Sequence, residues 1–288
     1  MGDKEDKFVT LAKQTIMNKS NKKKYPVLDI HAHLGNHKIP RMSVNDDAKF
    51  IDTARRAGIT ASVVSHADAL GSRDYSVQQK FNKKLLSIAE KNKQILVWWV
   101  TDPTQQASLD SVREIATHPL VVGCKVHPRL HNYPFSQYAG EICTLAEDTN
   151  LPVITHAGNK GNMPTQIVKA LRPFSAVKFI IAHFGNCGNY KDHVNALKQA
   201  GNNVLVDTSS AVSIECGLIE QGVKELGAQR FLFGSDHPCY HPSSQAYRIY
   251  HADLDENTKR RILWQNAAEN ILKPSQVEIV KELFNEKQ

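Results

Sequence analysis

Short β-branched and aliphatic runs alternate with amphipathic stretches along the chain, and no other feature limits its fold as tightly. Such runs fall at 27–30, 59–66, 94–102, 120–127, 151–156, 177–183, 203–208 and 230–236. Pro103 and Pro128 stop two of them, and Gly58, Gly201 and Gly227 close the intervening helical patterns. Those patterns predict helices over 44–57, 75–92, 109–117, 135–149, 165–171, 190–200 and 214–226, with helical material from 242 almost to 288. Strands that alternate with helices build a parallel sheet, because each helix carries the chain back to start the next strand in the same direction. Eight such units in about 250 residues predict an α/β fold, a closed (β/α)8 TIM barrel. The glycine fingerprint of a dinucleotide-binding turn is missing after every strand, which weakens the doubly wound alternative.

The 288 residues are 41% hydrophobic and 23% charged, the balance of a soluble globular protein. No apolar stretch reaches the roughly 20 residues of a membrane helix. The first 24 residues lack a signal-peptide core, so a cytoplasmic protein with no membrane partner is expected. The domain plan is a polar leader, 1–24, and a single barrel domain, 25–288. Net charge is +7, yet seven lysines sit in the leader against three acidic residues, and the remaining excess is scattered. With no basic stripe interleaved with aromatics, no nucleic-acid partner is expected. Five cysteines, an odd number with no Cys-x-x-Cys pair, fit free thiols in a reducing compartment.

Chemistry in a (β/α)8 enzyme sits at the C-terminal ends of the strands. Those ends here carry His31, His33, His66, Asp102, Lys125, His127, His156, His183, Asp207 and Asp236. Residues i and i+2 of a strand face the same way, so His31 and His33 project together where the first strand meets its loop. Two imidazoles held like this can bind one metal ion, although a bare His-x-His also fits two unrelated loop residues. His66 reads more simply as a hydrogen-bonding histidine.

The motifs resemble the amidohydrolase superfamily, most closely its family 2 branch of metal-dependent hydrolases, lactonases and non-oxidative decarboxylases. They are Asp29-Ile-His-Ala-His33, Gly123-Cys-Lys-Val-His-Pro128, Ile154-Thr-His-Ala-Gly158, Ile181-Ala-His-Phe-Gly185 and Phe233-Gly-Ser-Asp-His-Pro238. The segment Ile262-Leu-Trp-Gln-Asn-Ala-Ala-Glu-Asn-Ile271 resembles the helix that follows the barrel in that branch. By resemblance, His31, His33, His156 and Asp236 bind one divalent metal, zinc first and manganese second. Asp236 then moves protons, and His183 polarises the substrate carbonyl or orients other groups. Lys125 either is carboxylated and bridges a second metal, with His183 as a further ligand, or contacts substrate with His127. One metal is the preferred reading.

Arg129 and His237 are expected at the substrate, within a rim that also holds Arg41, Arg73, His131, Lys160, Tyr240 and His241. Arginine forks match carboxylates and phosphates, so a small anionic substrate is expected. Cys187 and Cys239 read as bystanders. The expected function is hydrolysis of an amide, lactone or ester-like bond by metal-activated water. The alternative is decarboxylation of an aromatic or unsaturated acid on the same metal site; the second alternative is a non-catalytic binding protein. Oligomeric state is left open, with a homo-oligomer allowed: the C-terminal helix can cover the barrel base or pack on a second subunit.

Overall fold

The computed structural model describes residues 25–36, 46–186, 190–210 and 215–286. The leader 1–24, Arg41, Cys187 and the expected helix starts at 44 and 214 lie outside the described residues. Parallel strands follow one another in chain order: β1 Leu28–Leu34, β2 Ala61–His66, β3 Ile95–Val100, β4 Val121–Val126, β5 Val153–Thr155, β6 Phe179–Ile181, β7 Val204–Asp207 and β8 Phe231–Leu232. The segment after β8 returns to β1 through Ile30 N to Phe233 O at 2.9 Å and Asp236 N to His31 O at 2.7 Å. The result is the (β/α)8 barrel that the alternation predicts.

All the strands differ from their expected limits: β2 to β7 lie up to two residues inside theirs, and β1 and β8 depart in ways that bear on the site. β1 runs on through both histidines, because Ala32, His33 and Leu34 pair with Val64, Ser65 and His66. β8 is shorter than 230–236. Arg230 ends a 3-10 turn, and Asp236 adopts a positive φ of 56° that takes the chain off the ladder.

Strand residues divide into two layers. Leu28, Ile30, Val63, Leu96, Trp98, Val122, Ile154, Ile180, Leu205 and Leu232 fill the barrel interior. Trp264, Ile271, Val280 and Leu283 pack against this cluster, so the C-terminal helix Pro274–Asn285 covers the base of its own barrel. Ala32, Val64, Val97, Trp99, Cys124 and Val126 face outward, against helices such as Asp47–Arg56 and Tyr75–Lys91. Cys124, Cys143 and Cys216 are free thiols. No described helix is long and apolar enough to cross a membrane.

Strand alternation alone does not place the site residues. On β1, Ile30 faces inward and Ala32 outward, which strict alternation forbids. The register between β1 and β2 shifts between Asp29 and Ala32. This bulge inverts the pleat and turns His31 and His33 toward the barrel mouth. The β3–β4 register shifts likewise, from Val97 opposite Val121 to Trp98 opposite Gly123. Val122 is therefore inside, Cys124 outside, and Lys125 enters the mouth.

On the barrel's outer side, Glu225 ties helix Leu218–Leu226 to helix Tyr190–Gln199. It accepts from Tyr190 Oη at 2.9 Å and pairs with Lys198 Nζ at 2.7 Å. Hydrogen bonds from Lys198, Gln221 and Tyr190 hold its carboxyl at about 2, below a glutamate's ordinary 4.5. A depressed acid stabilises the fold above its unfolded pKa and loses that contribution as pH falls through its folded one. Wild type should therefore melt above Glu225→Gln at pH 7, and the gap should close as pH falls from 4.5 toward 2. Melting curves of both proteins across that range check this; a pH-independent gap contradicts it.

Candidate active site

The ends of several strands open into one cavity of about 880 Å³. His31, His33, Lys125, His127, Arg129, His156, His183, Asp236 and Cys239 line it, together with Asn36, Ala67, Asp68, Ser72, Val77, Phe81 and Leu130. His31, His33, Lys125, His127, Arg129, His156, His183 and Asp236 thus converge from strands distant in sequence.

Among the described residues, two groups of three bring one ligand atom from each within 4.8 Å of the others: His31, His33 and Asp236, and His31, His183 and Asp207. His33 Nε2 is 3.0 Å and His31 Nε2 is 3.8 Å from Asp236 Oδ1. The other nitrogen of each ring is held from behind: His33 Nδ1 lies 2.8 Å from Ser65 Oγ, and His31 Nδ1 lies 2.7 Å from Asp207 Oδ2. Asp29 fixes the approach of the Asp236 loop. It accepts from Ser235 N at 2.9 Å and Ser235 Oγ at 2.5 Å. Asp236 and His183, at the ends of β8 and β6, both have positive φ, 56° and 68°. Left-handed backbone at a non-glycine residue costs about 1–3 kcal/mol and collects at functional sites, where it aims a side chain.

His156 stands one ring further out. Its Nδ1 is 3.0 Å from His183 Nε2, and its ring stacks on His127 at 4.3 Å. Neither group of three includes it. Lys125 is buried and its Nζ donates to His31 Nε2 at 2.9 Å.

Burial dominates the electrostatics. It lowers His31 to about 3, helped by the Lys125 cation and opposed by Asp207. It holds His127 and His156 well below an ordinary histidine, with neighbouring imidazoles and Lys125 adding to the effect. Lys125 is lowered to about 8, again by burial, with Asp207 and Asp236 pulling the other way. For Asp207, burial works to raise the carboxyl, but His31, His183 and Ser209 outweigh it and keep the group ionised. Neutral imidazoles beside carboxylates are the protonation states a divalent cation requires. The donor set of His31, His33 and Asp236 therefore fits such an ion.

Several expected residues lie elsewhere. His237 is buried against Phe50, with ring centroids 4.5 Å apart, and contributes its carbonyl to His33 N at 2.7 Å. It does not line the cavity, because the turn at Asp236 sends consecutive side chains to opposite sides. His66 packs on Phe81 and accepts from Asp68 N, as a hydrogen-bonding histidine would. Asp102 caps its own loop through Thr104 and Gln105. His241 caps the helix Pro242–Tyr250. Arg73, His131, Lys160 and Tyr240 are also absent from the lining. Sequence reasoning assigned no role to Asp207 and did not single out Ser209 or Ser65. The run Asp207-Thr-Ser209 at the end of β7 was the available signal.

A parallel barrel whose mouth gathers buried histidines and a carboxylate around one cavity is the architecture of a metal-dependent (β/α)8 enzyme. The amidohydrolase family model matches residues 28–270, and the chain belongs to that family. No curated protein matches the sequence. Among solved structures, 5-carboxyvanillate decarboxylase from Sphingomonas paucimobilis is similar with a TM-score of 0.66 and 11% identity, over 85% of this chain and 98% of that one. A dihydroxybenzoic acid decarboxylase from a Polaromonas species, crystallised with manganese and the inhibitor 2-nitroresorcinol, gives 0.68 and 14%, over 92% and 98%. A 2,6-dihydroxybenzoate decarboxylase from Rhizobium gives 0.64 and 13%, over 92% and 100%. At these identities the likeness is one of fold.

Proposed function

We propose that the protein is a metal-dependent, non-oxidative decarboxylase of a small aromatic or unsaturated carboxylic acid. The observation that carries this reading is the mixed lining of the cavity, cationic, metal-ligating and apolar side chains around one space. Lys125, Arg129 and the trio of His31, His33 and Asp236 line it together with Val77, Phe81 and Leu130. Such a lining suits a ligand that combines a carboxylate with a flat apolar body. The decarboxylase structures of the same fold support it.

His31, His33 and Asp236 would hold the ion, with His156 as a fourth ligand; manganese and zinc both suit this donor set. When bound, the ion supplies positive charge that orients the substrate's oxygens and offsets charge developing on them. Arg129 and Lys125 take the carboxylate by charge-assisted hydrogen bonds. Phe81 and Leu130 keep water from the apolar face. Asp236 in its acid form gives a proton to the carbon that bears the carboxylate. The electron pair of the breaking C–C bond then returns to that carbon's π system, CO₂ leaves, and solvent reprotonates Asp236.

Hydrolysis of an amide, lactone or ester-like bond is the second reading. The position of Asp236 against His33 favours it, since the same carboxylate could take a proton from water. The discriminating experiment incubates protein loaded with Mn²⁺ or Zn²⁺ with hydroxybenzoates, unsaturated acids and simple lactones in ¹⁸O-water. Decarboxylation releases CO₂ in step with loss of the acid and places no ¹⁸O in the remaining product. Ring opening with ¹⁸O incorporation and no CO₂ would select hydrolysis. Chelation should abolish either activity, and re-addition of the ion should restore it. Full turnover after stringent chelation would refute both.

A further inference from the structure

Beneath the cavity, one carboxylate touches the surroundings of two site histidines. Asp207 Oδ2 faces His31 Nδ1 at 2.7 Å. Asp207 Oδ1 accepts from His183 N at 2.9 Å, Ser209 N at 2.9 Å and Ser209 Oγ at 2.5 Å. Ser209 Oγ in turn lies 2.9 Å from His31 Nδ1 and 3.0 Å from His183 Nδ1, and the Ser209 carbonyl is 2.5 Å from His183 Nδ1. Asp207 and Ser209 are fully buried.

We propose that Asp207, with Ser209, is a positioning residue that sets the proton pattern of three imidazoles in the site. A carboxylate only accepts, so the proton of neutral His31 lies on Nδ1 and its Nε2 carries a lone pair. Lys125 Nζ donates to that same Nε2 at 2.9 Å, which agrees. A backbone carbonyl also only accepts, so neutral His183 is protonated on Nδ1 and carries a lone pair on Nε2. That lone pair faces His156 Nδ1 at 3.0 Å, which must then be the donor. His156 Nε2 is left without a proton. Asp207 thus leaves the Nε2 of His31, and the Ser209 carbonyl through His183 the Nε2 of His156, as bases, the form in which an imidazole takes a metal. An alternative use of the group His31, His183 and Asp207, as ligands of a second ion, would require those atoms to give up the bonds that already satisfy them.

An amide at position 207 breaks the pattern. Its oxygen would keep the donors from Ser209 and His183, and its NH₂ would face His31 Nδ1. The His31 proton would then move to Nε2, the wrong atom for a metal. The test reads tautomers directly, by long-range ¹H–¹⁵N spectra of metal-free protein, and measures Mn²⁺ affinity by calorimetry. Wild type should show Nδ1–H on His31, His156 and His183. Asp207→Asn should move the His31 proton to Nε2 and weaken Mn²⁺ binding by about 10–100-fold. Ser209→Ala keeps the backbone carbonyl that faces His183 Nδ1, so His183 and His156 should hold the wild-type pattern in that variant, and a shift of their protons would overturn the role given to that carbonyl.

The proposal rests on the metal reading only for the affinity arm. If wild type takes up no Mn²⁺ but the tautomers respond as stated, the metal reading fails and the positioning role stands. Nε2–H on His31 or His183 in wild type would overturn the proposal, and that measurement needs no variant to fold. So would unchanged tautomers and affinity in Asp207→Asn, or two ions per wild-type chain falling to one in that variant.

Discussion

Replacing Asp236 with Asn should lower kcat by about 10²–10⁴-fold, the range general acid–base catalysis supplies. The substitution keeps the shape but removes the proton-transfer function. It also takes an anionic oxygen from a group whose ligand atoms lie within 4.8 Å of each other. Bound metal should fall as well, so metal content by mass spectrometry is measured beside the rate. A change from Asp to Asn at a left-handed φ of 56° is well tolerated by the backbone, because Asn adopts that region readily. Loss of activity with an unchanged melting temperature is therefore the expected pair of results. A variant keeping more than a tenth of wild-type turnover would remove Asp236 from the chemistry under either proposed reaction.

The second large effect is structural, and it acts on the site through the fold. Gly123 sits at the register shift that turns Lys125 and His127 into the cavity. A Cβ there would lie 2.1 Å from the Pro152 carbonyl oxygen and 2.7 Å from the Trp98 ring. The oxygen belongs to the backbone of the neighbouring strand connection, so it cannot rotate away. Gly123→Ala should cost about 3 kcal/mol, the upper part of the range for overpacked cores. Denaturant melts should show it as a lower midpoint. Gly140→Ala is the matched control, since its Cβ meets nothing within 4 Å and it lies in a helix, where alanine is favoured. Equal stability of the two variants would mean that the β4 bulge yields easily and does not set the position of Lys125.

Much of the barrel was legible because each strand carries its own local signal. Runs such as Val-Val-Gly-Cys-Lys-Val, bounded by a proline, read as buried strand whatever surrounds them. The placing of His31, His33, His183 and Asp236 at one end of the barrel followed from topology, since parallel strands present all their C-terminal ends on one side. Strand alternation was a poorer guide. It pairs His31 with His33 correctly, but it cannot show that a bulge after Asp29 inverts the pleat and points both inward. The same limit explains His237, which follows a site residue in sequence and ends against Phe50.

The order of strands and helices, the family and the set of ligand-type residues at the barrel mouth are written in the linear chain, because periodicity and motif spacing are local properties. The tertiary structure alone decided the supporting contacts. Asp207 lies 176 residues from His31 in the chain and 2.7 Å from it in space. No sequence period records such a pairing; it exists only once the seventh strand has been brought round the barrel to within reach of the first.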